Sequence, residues 1–246
     1  MNTDVPPDQP FDRAPGESTD EPTAVAARYA RRPAVDARYS LFDRAALAEQ
    51  QGRVRAWAGL WATHRAELPD WHITEVGCGD GGNLLDAIRL GARPARLRGL
   101  ELLPARAELA RARLPAGLRI DTGDALAADI APGSQDAVLQ FTVFSSLLDD
   151  VFQQRLADAM WRWVRPGGGV LWYDFAVDNP RNRDVRGVPM RRVRALFPQA
   201  IAEVRRVTLA PPLARAACRV HPVLHGLLDS VPLLRTHRLV WLRKPA

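Results

Sequence analysis

The sequence predicts an α/β fold built on a doubly wound parallel sheet, and three observations carry that reading. Short β-branched or apolar runs alternate with helix-period segments from residue 73 onward. The first run, Ile73-Thr-Glu-Val76, passes directly into the glycine-rich turn Gly77-Cys-Gly-Asp-Gly-Gly82 and then a helical stretch beginning Asn83-Leu-Leu. A strand that turns sharply into a helix lifts backbone N–H groups to the C-terminal edge of a sheet. The apolar fraction of 47% supports a full core for one domain with appendages in 246 residues.

Each element follows in order. Residues 1–27 carry Asp4, Asp8, Asp12, Glu17, Asp20 and Glu21 among prolines, with little apolar content, and read as a disordered tail. Residues 28–70 read as a helical cap. Leu47, Val54, Trp57, Leu60 and Trp61 recur at helical spacing, and Ser40 or Asp43 suits the N-cap. The cap should cover the ligand edge of the sheet, with Tyr39 near it and the tryptophans available for the core. Residues 71–246 form the α/β domain. Its second strand is Leu97–Glu101, followed by a helix over 104–113 and a third strand at Leu118–Ile120. Asp136–Gln140 is the fourth strand and 149–164 a helix. The turn Arg165-Pro-Gly-Gly-Gly169 enters the fifth strand, Val170–Phe175. Ala202–Leu209, a helical insertion near 212–230, and Thr236–Arg243 complete the chain, which shows no internal repeat.

The formal charge is +6, nearly all of it arginine, since Lys244 is the only lysine. The arginines are spread along the chain without interleaved aromatic residues, so compositional bias explains them better than a nucleic-acid footprint. No nucleic-acid partner is expected. There is no apolar run of about 18 residues, hence no transmembrane segment. The acidic N-terminus does not resemble a secretory signal. Cys78 lies in the glycine turn, which argues against a disulfide with Cys218 and points to a reducing, cytoplasmic compartment. A monomer or a homodimer fits these features equally.

The turn bears the chemistry. Gly77, Gly79 and Gly81 let a ligand lie against the backbone. Gly77, Gly79 and Gly82 also satisfy the dinucleotide spacing G-x-G-x-x-G. Glu75, two residues before the first glycine, favours a cationic ligand over a pyrophosphate. Glu101 ends the second strand 20 residues after Gly81, where a carboxylate can accept two ribose hydroxyls.

Glu75-Val-Gly77-Cys78-Gly79-Asp-Gly81, with Glu101, Gly123-Asp124-Ala125 and the Arg165-Pro-Gly-Gly turn, resembles the class I S-adenosylmethionine-dependent methyltransferases over about residues 40–243. The resemblance implies a Rossmann-like, seven-stranded, mostly parallel sheet with helices on both faces, an antiparallel last strand and an N-terminal helical cap. It implies S-adenosylmethionine as cofactor. Glu75, Gly77, Cys78, Gly79 and Gly81 would hold it at the turn, and Glu101 at the ribose. Leu102 would lie on the adenine, Asp124 would accept its amino hydrogen, and the Ala125 N–H would serve a ring nitrogen. Gln140 would stand near the methionine part, with Phe141 or Phe144 beside the sulfonium or in the core.

The loop Asp178-Asn-Pro-Arg-Asn-Arg-Asp-Val-Arg-Gly187 resembles one in a type-11-like bacterial subgroup associated with glycan or natural-product gene sets. Asn179, Arg181, Asn182 and Arg186 are therefore the expected acceptor contacts, unless the arginines pair internally with Asp174, Asp178 or Asp184. Asp174 and Tyr173 are the expected catalytic groups, with His221 and His225 as weaker alternatives. No Cys/His zinc spacing or tight acidic cluster is visible, so no metal is expected. The expected reaction is methyl transfer to a small-molecule or glycan-type acceptor, at oxygen. Three alternatives remain: an RNA methyltransferase, a non-catalytic binding protein of the same fold, and an NAD-linked oxidoreductase, which Glu75 and Asp124 disfavour. The insertion reads as a lid or packing cap before a dimer surface or a membrane-touching helix.

Overall fold

The computed structural model describes residues 20–31, 40–178 and 182–246. Seven strands form one sheet: β1 (Ile73–Val76), β2 (Leu97–Glu101), β3 (Arg119–Thr122), β4 (Gln135–Phe141), β5 (Val164–Phe175), β6 (Ile201–Leu209) and β7 (Arg235–Arg243). Their order is β3-β2-β1-β4-β5-β7-β6. β1 to β5 pair in parallel, whereas β7 runs antiparallel to both β5 and β6. The expected Rossmann-like sheet with an antiparallel last strand is present. β1 sits between β2 and β4, so the chain reverses direction across the sheet there, and the glycine turn opens at that switch point.

Alternation along the central strands sends side chains to two separate cores. Leu139, Leu171, Leu239 and Trp241 join Trp57, Trp61, Leu84 and Ala107 on one side. Val138, Val170, Trp172 and Val240 join Leu156, Met160, Trp163 and Val193 on the other. A parallel sheet needs both faces covered, and the sequence supplies apolar residues at both parities. The first face is covered by α2 (Arg44–Leu60), α3 (Gly82–Leu90) and α4 (Pro104–Arg113). The second is covered by α1 (Glu21–Ala30), α5 (Asp150–Trp163) and α6 (Met190–Leu196). Trp57 and Trp61 are core residues, in edge-to-face contact at 5.0 Å between ring centroids.

Asp43 caps α2, its carboxylate accepting the N–H groups of Ala45 and Ala46. Arg165–Gly169, expected as a turn before the fifth strand, lies within β5 at a register shift against β4, and its composition has a steric reason. A Cβ on Gly168 would stand 2.5 Å from the Asp136 carbonyl oxygen. The predicted insertion is two helices, α7 (Pro211–Val220) and α8 (Pro222–Asp229), broken at Pro222.

One boundary differs from the sequence reading. Residues 21–27, expected in the disordered tail, belong to helix α1. Glu21 is buried because its carboxylate accepts the Leu148 N–H at 2.7 Å and pairs with Arg28 at 2.6 Å. Val25 packs in the second core. Long-range partners order a segment whose composition alone favours disorder. Residues 1–19, which hold the rest of that tail, and Tyr39 lie outside the described residues.

Candidate functional site

The turn after β1 is held in a conformation that only glycine adopts without strain. Gly77, Gly79 and Gly81 have φ of +66°, +59° and +85°. A Cβ on Gly81 would stand 2.6 Å from Leu114, so this residue packs tightly against the protein. A Cβ on Gly79 would meet nothing nearer than the Arg106 guanidinium at 3.9 Å. The backbone is therefore open to a ligand at Gly79. The Cys78 side chain points away, buried against Gly99, and burial pushes its thiol far above the ordinary range.

Glu101 is buried at the end of β2, and its two oxygens accept the Gly79 N–H at 2.7 Å and the Leu103 N–H at 2.9 Å. The carboxylate is thus locked beside the turn with lone pairs left for further donors. Asp124 caps the short turn after β3, one oxygen accepting the Leu126 N–H at 2.9 Å. Leu102, Ala125 and Val143 are partly buried apolar residues on the same side of the sheet. Gln140 is fully buried: its amide oxygen accepts the Val143 N–H and its amide nitrogen donates to the Tyr173 carbonyl. It shapes the turn after β4 through these bonds.

Glu75 is wholly buried. One oxygen accepts from the Asn83 amide at 2.7 Å, and the other has no donor. Burial pushes its carboxyl up to about 8, against the opposing pull of the Asn83 bond and the Arg53 charge. Arg53 on α2 donates to the Asn83 side chain at 3.0 Å, and its Nε is buried without an acceptor. Its guanidinium carbon lies 5.2 Å from the ring centres of both Phe141 and Tyr173. An unsatisfied buried acceptor and an unsatisfied buried donor thus belong to two side chains that share Asn83, directly after the turn. Each costs free energy unless a ligand pairs with it.

Beyond Arg53 lies a second set of side chains. The Tyr173 hydroxyl exchanges a 2.8 Å hydrogen bond with Thr208, itself at φ +63°, and the ring stacks on His237 at 5.0 Å. Burial, with the Arg53 charge, lowers His237 to about 4, so its imidazole is neutral at physiological pH. Glu49, one turn before Arg53 on α2, is raised by burial to about 7, with Arg215 and Arg53 opposing. Asp174 is buried and raised to about 7, and its oxygens accept the N–H groups of Ser145 and Phe175.

Of the acceptor-loop residues, Asn179 and Arg181 lie outside the described residues. The Asn182 side chain accepts the Asp184 N–H, and Asp184 pairs with Arg31 of α1. Arg186 pairs with Asp150 at the start of α5, a partner the sequence reading did not consider. His221 caps α8 and His225 is buried beneath it.

Residues 73–168 match the family model for a methyltransferase domain. No curated protein matches the chain. Among solved structures, a geranyl diphosphate C-methyltransferase from Streptomyces coelicolor A3(2) is similar at TM-score 0.60 and 16% identity, covering 94% of this chain and 100% of its own. An S-adenosylmethionine-dependent methyltransferase from Archaeoglobus fulgidus has a TM-score of 0.56 at 10% identity, covering 80% and 98%. One from Mesorhizobium loti has 0.50 at 18%, covering 75% and 97%. At such identities these similarities establish the fold.

The residues present fit S-adenosylmethionine, the cofactor that the sequence resemblance implies. The open surface at Gly79, the unpaired Glu75 oxygen, the unpaired Arg53 Nε and the fixed Glu101 carboxylate are the features such a cationic nucleoside requires. Arg53, Asn83 and Glu49 were not singled out from sequence. The available signal was polar residues on the α2 stripe that also carries Trp57, and an Asn directly after the turn.

Proposed function

We propose that this chain transfers a methyl group from S-adenosylmethionine to an oxygen of a small-molecule or glycan-type acceptor. The observation that carries the reading is that Glu75 and Arg53, both bonded to Asn83 beside the glycine turn, each keep a buried polar atom without a partner. Glu75 would receive the ammonium of the methionine part and Arg53 its carboxylate. Gly77, Cys78, Gly79 and Gly81 line the turn, Glu101 holds the ribose hydroxyls, and Asp124, Ala125 and Leu102 take the adenine. Gln140 supports this pocket through the turn after β4. When bound, the cofactor supplies an electrophilic methyl on sulfonium.

The protein's task is alignment, exclusion of water and removal of the acceptor proton. Glu49 is the better-suited base, because no donor in the described residues occupies its carboxylate and its raised value favours proton uptake near neutrality. Asp174 and Tyr173 are committed to Ser145, Phe175 and Thr208, and we assign them to positioning the wall of the acceptor side. Asn179, Arg181, Asn182 and Arg186 remain the proposed acceptor contacts, and Asp184, between the last two, pairs with Arg31 at the end of α1. Many arginines are engaged in ion pairs within the chain, which favours a small acceptor over RNA. We place the protein in the type-11-like subgroup and in the cytoplasm.

Calorimetry with S-adenosylmethionine, S-adenosylhomocysteine and NAD tests the cofactor half. Micromolar binding of the first two without NAD is expected, and tighter NAD binding overturns it. Release of S-adenosylhomocysteine across hydroxylated sugars and phenols, compared with amines and transfer RNA, tests the acceptor half. Turnover confined to RNA would refute it.

A further inference from the structure

The two helices between β6 and β7 each leave large apolar residues at the surface. α7 turns its small residues Ala214, Ala217 and Cys218 inward and leaves Leu213 and Val220 at the surface. α8 buries His225 while Val223 and Leu227 are 68% and 63% exposed. Leu233, in the turn that follows, is 82% exposed. A helix in water normally buries its large apolar residues and exposes its polar ones. Here Leu228 packs inward, yet large apolar residues stand exposed on two consecutive helices and the turn after them, more than isolated exposed residues explain.

The surface continues onto the start of α2. Ala45 shares a buried cluster with Ala214 and Cys218, and Phe42, three residues earlier, is 99% exposed. Charge is one-sided. The charged residues of 211–234 are Arg215, Arg219 and Asp229, and Asp229 is spent on Arg235 through two bonds of about 3 Å. Arg215 and Arg219 have no ion-pair partner among the described residues. A twofold contact of this face with itself would bring like-charged guanidinium groups together. An anionic partner would pair with them. No helix of the described residues is long and apolar enough to cross a membrane.

We propose that the outer face of α7, α8 and the turn at Leu233 docks on an anionic lipid bilayer. Leu213, Val220, Val223, Leu227, Leu233 and Phe42 enter the headgroup boundary, and Arg215 and Arg219 meet the phosphate-bearing surface. Arg215 also lies in the electrostatic field of Glu49, so the docked face adjoins the acceptor side of the site. An acceptor carrying an apolar chain could then reach the site without crossing water. The docking itself does not depend on the proposed reaction.

The test uses the full chain and flotation with phosphatidylcholine vesicles, with or without about one third phosphatidylglycerol. Binding to the anionic vesicles is expected, at least tenfold stronger than to neutral ones and weakening with salt. The triple variant Val223→Asp, Leu227→Asp, Leu233→Asp should lose at least tenfold. Phe42→Asp, at a site with no packing to lose, should lose several-fold. Cofactor calorimetry on the same samples reports the methyltransferase site separately. Absence of binding by the unaltered protein, or equal binding by the variants, overturns the proposal. So does a dimer of the unaltered chain that the triple variant dissociates, because the face would then be a self-interface.

Discussion

Replacing Glu75 by Gln offers a quantitative test of how the site holds its cofactor. Burial sets the Glu75 carboxyl to about 8 in the ligand-free protein. At pH 7 it is therefore about nine-tenths protonated. A cation placed on its unpaired oxygen favours the charged form and returns it toward the ordinary carboxylate range. Binding at pH 7 should release about 0.9 proton from Glu75, falling to about 0.1 at pH 9. Affinity should rise about tenfold between those values, equivalent to about 1.4 kcal/mol. Calorimetry in buffers of different ionisation enthalpy measures the protons, and the ligand's own ammonium titration cancels against Glu75→Gln. The linkage has a second consequence with a definite sign. A folded-state value raised above the unfolded one gives stability that is complete below about 4.5 and lost as pH rises through about 8. The ligand-free Gln variant should thus melt higher than the parent at pH 8.5 and about equally at pH 5. Equal proton release by parent and variant would refute the placement of the cation at Glu75.

Three further outcomes follow from other parts of the site. Glu101→Ala should weaken S-adenosylmethionine more than tenfold, about 1.5–3 kcal/mol, by removing charge-assisted bonds; unchanged affinity in a folded variant would place the ribose elsewhere. Gly81→Ala should destabilise by about 2–4 kcal/mol, from left-handed strain and the clash with Leu114; a melting temperature within a degree of the parent's would contradict that. Arg186→Ala should cost about 0.2–1 kcal/mol, since its partner Asp150 is well exposed. Its cofactor affinity should stay within a few-fold, and normal turnover per folded molecule would remove it from the acceptor site.

The glycine turn and strand-end acids proposed to hold the cofactor were legible because they are local. Gly77, Gly79 and Gly81 need left-handed backbone, and that need is written in the residue type itself. Glu101 and Asp124 stand at strand ends that alternation and turn residues mark. Strand β4, α4 and the late order of β6 and β7 followed from periodicity and the family resemblance. The acceptor half was less legible. Asp174 read as a catalytic acid or an arginine partner, yet two backbone N–H groups occupy it once β5 lies beside the turn at Ser145.

What the sequence determined by itself, then, was the backbone: the strand–turn–helix unit, the parity of each strand and the positions of its terminal acids. Tertiary structure decided which distant side chains meet. It brought Arg53 of α2 to Asn83 and the rings of Phe141 and Tyr173. It ordered Glu21–Ala30 against Leu148 and Ser146, and gave Arg186 to Asp150. It also turned Leu213, Val220, Val223 and Leu227 of α7 and α8 outward, although the spacing alone suggests a packing cap. The reason is physical. Backbone conformation depends on neighbours a few residues away, whereas side-chain partners depend on strand order and helix placement, and these emerge only when both cores are packed.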